Sequence, residues 1–212
     1  MARIRYGTLL TALVLAAAVS PALMAQDQDA LELYRQGRYE EAAQVCLREL
    51  EERGTDQVRR RMDSYTVLGW SYIRLGDYER ALAYSRQARG EVRYDVRVIE
   101  NEAEALYYLG RNLESLALFE EYVGLSPTGE RIDVVYYFMG EIFLRLGEYQ
   151  HADIAFSSAL YHSPEVARWW ARLGYAKEQI PDLDGAEDAY RKALELQPSL
   201  EDARVGLDRV TG

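Results

Sequence analysis

The chain has 212 residues, 49% of them hydrophobic and 28% charged, with a formal net charge of −10. This composition supplies enough apolar material for a sizeable core and argues against disorder. Residues 1–25 contribute +2 through Arg3 and Arg5, so the rest carries −12, a surface that repels phosphate backbones and makes nucleic acid a poor partner.

The N-terminus reads MARIRYGTLLTALVLAAAVSPALMAQDQD: a basic lead, an apolar run over residues 8–19, then Pro21 and small residues as far as Ala25. That is the pattern of a secretory signal peptide over residues 1–25, cleaved near Ala25, and it sets the expectation of a periplasmic or secreted chain. The alternative is a retained anchor, since residues 8–25 are just long enough to span a bilayer. Pro21 favours cleavage, and no cysteine stands near the site to carry a lipid. Cys46 is the only cysteine, so an exported chain of this kind folds without an internal disulfide.

From residue 30 onward the chain repeats itself. ALELYRQGRYEEAAQVCLREL (30–50), LGWSYIRLGDYERALAYSRQA (68–88), EALYYLGRNLESLALFEEYVGLSP (104–127), MGEIFLRLGEYQHADIAFSSALYHSP (139–164) and LGYAKEQIPDLDGAEDAYRKALELQP (173–198) align with one another. The small residue opening each second half falls at Ala42, Ala81, Ser115, Ala152 and Ala186, in steps of 39, 34, 37 and 34. A period of this length means one helix-turn-helix unit per copy.

At these positions the sequence resembles the tetratricopeptide repeat family. The fourth copy carries the family pattern nearly throughout, in Tyr136, Met139, Gly140, Phe143, Gly147, Tyr149, Ala152, Phe156, Ala159 and Pro164. The other copies match in part: Ser85 and Cys46 stand where an aromatic is usual, Ala103 replaces the first glycine, and Pro181 occupies the turn. The resemblance implies an all-α fold, a right-handed α-solenoid of about five repeats, over residues 26–212. The repeats fall at about 26–56, 62–95, 96–129, 133–166 and 167–200, with a polar capping helix over 201–212.

The physics of the spacing agrees. Each unit is a pair of amphipathic helices that cannot bury its apolar stripe alone, so neighbours must stack. Gly69, Gly140 and Gly174, with Ala30 and Ala103 in the same place, open room for a close helix crossing. Gly37, Gly76, Gly110 and Gly147 are expected to end the first helices in the left-handed conformation, with Asp77 and Asp182 capping the second. Two insertions are expected. One covers 52–61, with Gly54 as a helix stop and Thr55 or Asp56 as the next cap; the other covers 126–133, and the first helix of the second unit should run long.

Nothing in the chain carries catalytic chemistry. His151 and His162 have no second ligand at metal spacing, and Cys46 reads as a core residue. PDLDG (181–185) lacks the acidic positions of a calcium loop, and no phosphate loop, serine elbow or paired-carboxylate motif occurs. The expectation is a protein that is not an enzyme and needs no metal or cofactor.

What remains is a surface. The family resemblance implies that the first helices line a concave groove through positions that the repeat signature leaves free. Here these include Tyr34, Arg35, Trp70, Arg74, Glu100, Glu104, Tyr107, Tyr108, Tyr137, Glu141, Arg145 and Tyr175. They read as an aromatic track with Glu100, Glu104 and Glu141 as a central acidic patch and arginines at one edge, the mixture that peptide grooves use. The bland alternative is that the tyrosines pack between helices and the charges form a solvated face. The Lys and Asn of the family's carboxylate clamp are missing, so chaperone-tail recognition of that type is not expected. Two functions follow: a non-catalytic envelope scaffold that binds a protein or peptide in the groove, or a structural assembly module, either a homo-oligomer or a fixed subunit of an envelope transport or outer-membrane assembly complex.

Overall fold

The computed structural model describes residues 29–52 and 58–212, and there the chain is helical with no strand. The signal-peptide reading and the Gly54, Thr55 and Asp56 readings lie outside the described residues. Eleven helices follow one another: α1 (Ala30–Arg35), α2 (Tyr39–Glu52), α3 (Val58–Leu75), α4 (Tyr78–Glu91), α5 (Val96–Tyr108) and α6 (Asn112–Leu125), then α7 (Ile132–Leu146), α8 (Tyr149–His162), α9 (Ala167–Gln179), α10 (Leu183–Leu196) and α11 (Glu201–Thr211). At 18 residues α3 outruns its counterparts α5, α7 and α9, as the insertion before it predicts.

Each helix packs on its successor, and the odd-numbered helices also pack on one another, α1 on α3, α3 on α5, α5 on α7 and α9 on α11. The odd helices therefore form an inner layer, with α7 and α9 joined through the Tyr137–Trp169 and Glu141–Arg172 contacts, and the even helices form an outer one. The core is correspondingly a series of clusters passed along the stack. Among the described residues no helix is long and apolar enough to cross a membrane.

The turns close as expected. Gly37, Gly76, Gly110 and Gly147 all have φ between 75° and 78°, and the residue after each donates back into the preceding helix, as Glu148 N–H does to the Phe143 carbonyl at 2.9 Å. Where Pro181 replaces glycine the same bond survives, from Asp182 N–H to the Lys177 carbonyl at 3.0 Å, with the Lys177 ammonium 2.9 Å from the Asp182 carboxylate. Asp77 and Asp182 cap α4 and α10, and Asp29 and Asp95 cap α1 and α5.

The inner-helix glycines face rings from the outer helix of the same unit. A Cβ on Gly140 would stand 2.7 Å from the Phe156 ring, and one on Gly174 would stand 2.8 Å from Tyr190. Gly69 differs, because Ser85 stands where the ring belongs. Asn101 of the next unit reaches over Gly69 instead, its Nδ2 donating to the Thr66 carbonyl at 3.0 Å. Cys46 is fully buried, and α11 closes the stack by laying Gly206 against Tyr190.

Charge ties each unit to the next. Glu100 is 1% exposed and Arg131 donates to it across a 31-residue step; Glu141 takes bonds of 2.5 and 2.8 Å from Arg172, and Glu178 takes 2.8 and 2.7 Å from Arg209, at the same step. On the outer side, Arg89 joins Glu102 and Glu121 at 3.1 and 2.8 Å. A carboxylate sunk between units is tolerable only with its cation in place.

Two stability outcomes follow. Gly140→Ala should lower stability by about 1–3 kcal/mol in urea titrations, because the methyl has no room, whereas Gly90→Ala, with open space around it, should raise it by about 0.5–1 kcal/mol. Equal effects at the two glycines would contradict the close crossing. Arg131→Ala should cost about 3 kcal/mol, with a pH signature. Burial raises the Glu100 carboxyl above its ordinary value and Arg131 holds it down. A folded-state pKa above the unfolded one means stability lost as pH rises, so the deficit should be larger at pH 8 than at pH 5. A deficit independent of pH would show that the buried carboxylate is not its cause.

Candidate partner-binding groove

The inner face is built from one stripe of each odd helix. Residues spaced three and four apart share a face, so Glu100, Glu104, Tyr107 and Tyr108 of α5 line up, as do Tyr137, Glu141 and Arg145 of α7.

At the N-terminal end these stripes enclose a cleft of about 560 Å³ lined by Leu31, Tyr34, Arg35, Trp70, Ile73, Arg74, Glu104, Tyr108, Glu130 and Arg131. Six of the twelve residues named from the sequence meet here. Tyr34 lies 5.7 Å from Trp70 and 5.3 Å from Tyr39, centroid to centroid, and the Arg74 guanidinium stands 5.4 Å over the Tyr39 ring. Tyr108 is 43% exposed and stacks on Tyr78 at 4.6 Å. Burial pushes the Tyr34 hydroxyl up, and burial with the nearby Glu104 carboxyl pushes Tyr108 up to about 12, so both stay neutral.

Further along, the groove is more tightly packed. Tyr107 is buried edge-on against Phe138 at 5.0 Å, and Arg145 covers it at 3.6 Å while donating to its backbone carbonyl at 2.8 Å. Tyr137 stacks on Trp169 at 5.2 Å and touches Phe138 and Phe156. Tyr175 lies 5.7 Å below the Arg172 guanidinium. Tyr107 and Tyr137 therefore do much of their work between helices, and the more open aromatic surface belongs to Trp70 and Tyr108.

The three acids expected to form a surface patch lie below the surface instead. Glu104 and Glu141 are each 8% exposed and Glu100 less, because Arg131 and Arg172 reach over Glu100 and Glu141 and close them off. Burial and the charge of Glu100 push the Glu104 carboxyl up to about 7, against the pull of Arg131 and Arg74. The cleft's accessible charge is thus mainly arginine, with Glu130 as the exposed carboxylate at its edge. Among the described residues Arg35, Arg74, Arg145 and Arg168 have no carboxylate within ion-pair distance.

Sequence reasoning missed Glu130, Arg131, Trp169 and Arg172. Arg131 sits in the 126–133 insertion, and Arg172 stands at a position the groove mapping passes over. The readable signal was an inner-face acid followed 31 residues later by arginine, which occurs at 100 and 131, 141 and 172, and 178 and 209. His151 is exposed beside Glu148 and His162 stacks on Tyr136, both on α8. Among the described residues no three His, Cys, Asp or Glu side chains gather closely enough to hold a metal.

Comparison with known proteins bears on this architecture. The tetratricopeptide repeat family profile matches residues 66–130 and 137–201, more than half of the chain. The Saccharomyces cerevisiae heat shock protein STI1 is 31% identical over 97 residues, covering 46% of this chain and only 16% of that protein. Among solved structures, MamA residues 41 to the end from Desulfovibrio magneticus RS-1 superposes with a TM-score of 0.64 at 22% identity, over 73% of this chain and 84% of that one. A thermophilic TPR protein from Thermus thermophilus gives 0.62 at 22%, over 85% and 94%. At these identities the structural likeness speaks for the fold alone. The matched repeats, the stacked helix pairs and the glycine–ring crossings together place this chain in the tetratricopeptide repeat family.

Proposed function

We propose that this protein is a non-catalytic scaffold of the bacterial cell envelope that holds an extended peptide, or an extended segment of a partner protein, in the concave groove. The observation that carries the reading is the cleft between α1, α3 and α5, where aromatic walls stand beside Arg35 and Arg74, which no carboxylate among the described residues neutralises. Aromatic and arginine side chains in a partly enclosed, pre-formed cleft are the usual anchors of peptide recognition. The family is one of typically protein-binding, non-catalytic folds. The envelope setting rests on the leader pattern of residues 1–25.

One observation favours the second reading, an assembly module. On the outer layer Ile154 and Tyr161 are 64% and 84% exposed and share a shallow hollow on α8 with Asp153, Ser157 and Ser158.

Affinity capture from the native envelope tests the first reading. Trp70→Ala and Tyr108→Ala should each remove the captured partner while helical content stays near the parent's, with a lowered melting temperature because Trp70 packs on the core and Tyr108 on Tyr78. Tyr137 is a poorer target, since truncating it also empties the packing against Trp169 and Phe156. Undiminished capture by both folded variants would defeat the groove reading. Light scattering separates the alternative: a monomer fits peptide capture, whereas a stable homo-oligomer disrupted by Tyr161→Glu but not by Trp70→Ala fits assembly through α8.

A further inference from the structure

The cleft holds one group that the packing leaves unanswered. Glu104 is 8% exposed and no described residue donates a hydrogen bond to its carboxylate. The nearest cation is an Arg131 Nη at 3.9 Å, and the short bond of that guanidinium goes to Glu100. The carboxylate is not sealed from water, its side chain keeping 11% exposure, so its bonding capacity opens toward the cleft. In the same cleft two guanidiniums lack a carboxylate among the described residues: Arg35, exposed at the end of α1, and Arg74, resting on Tyr39.

We propose that this cleft binds an acidic segment of an extended peptide, with a ligand carboxylate on Arg35 and Arg74, an apolar side chain between Tyr34, Trp70 and Tyr108, and Glu104 donating a hydrogen bond to a ligand backbone carbonyl. The inference rests on the groove reading and adds the chemistry of the occupant. A basic segment would face Arg35 and Arg74, the two cleft guanidiniums without an ion-pair partner, since Arg131 is already bound to Glu100. An acidic one meets Glu130 and Glu104, and Glu104 can lose its charge by taking up a proton.

That proton gives the site a signature. The charged and titratable groups around Glu104 are Tyr34 and Arg35 from α1, Arg74 from α3, Glu100 and Tyr108 from α5, and Glu130 and Arg131 ahead of α7. Neither histidine is among them. The Glu104 carboxyl already sits near 7, chiefly through burial, and a ligand carboxylate brought close would raise it further. Binding then takes up a proton, so affinity rises as pH falls from 8 to 6 while ligand carboxylates stay ionised.

Fluorescence anisotropy on the purified protein tests this with a labelled short peptide of Asp and Glu around a central Leu. Versions carrying Lys, or Gln and Ser, in place of the acids are the comparisons. The acidic peptide should bind best, more tightly at pH 6 than at pH 8, and Arg35→Ala and Arg74→Ala should each weaken it about tenfold. Glu104→Gln, a permanent donor of nearly the same shape, should hold the low-pH affinity at pH 8 and abolish the pH dependence. Circular dichroism confirms that each variant is folded. If the Lys or neutral peptide binds as tightly as the acidic one, the acidic assignment is overturned while the groove reading stands. No binding of the acidic peptide, by a protein that still captures its native partner in a Trp70-dependent way, overturns it equally. A wild-type affinity indifferent to pH, or an unchanged pH slope in Glu104→Gln, removes Glu104 from the site.

Discussion

A carboxylate buried at the seam between two helical units must find a cation, and at three seams along the inner face the cation arrives from the next unit. Glu100 and Arg131, Glu141 and Arg172, and Glu178 and Arg209 all obey this arrangement, with the acid on one inner helix and the arginine 31 residues ahead. Removing the arginine from such a pair leaves an unpaired carboxylate in a poorly hydrated place. The bridges also decide what the groove shows to solvent. The acids sink, the bridging guanidiniums cover them, and the arginines with no bridge to make are left at the surface. Two unpaired arginines, Arg35 and Arg74, thereby stand in the cleft of an acidic protein.

The rest of the stack keeps that face in place. Gly140 under Phe156 and Gly174 under Tyr190 let the two helices of a unit approach closely, and the left-handed glycines set where each outer helix begins. The second unit meets the same demand differently, with Asn101 of the following unit replacing the missing ring over Gly69. Because each unit contacts only its neighbours, the geometry of the groove is a sum of such local crossings. A cleft fixed by packing spares a ligand part of the ordering cost of binding.

How much of this was legible in the sequence depended on period. Helix pairs, turn glycines, caps and the long α3 recur at a spacing that local rules read directly, and they stand where expected. The groove residues were legible as positions, since helical spacing fixes which side chains share a face. Their depth was not. Glu100 and Glu141 look like surface charges until the arginine of the following unit is placed over them. Tyr107 and Tyr137 look like open aromatics until Phe138, Trp169 and Arg145 pack on them. Burial at a repeat seam depends on side chains some thirty residues away, and a reading that takes one helix at a time does not see them.

The claim on which the functional account turns is that ligands enter the inner face at the cleft around Trp70. The most direct measurement is a two-dimensional NMR titration of the isotope-labelled protein with the acidic peptide. The account predicts that the largest shifts fall on the Trp70 indole N–H, on the Arg35 and Arg74 side chains and on the backbone of α5 near Glu104 and Tyr108. Shifts confined to Ile154, Tyr161 and their neighbours on α8, with the Trp70 indole unmoved, would contradict it.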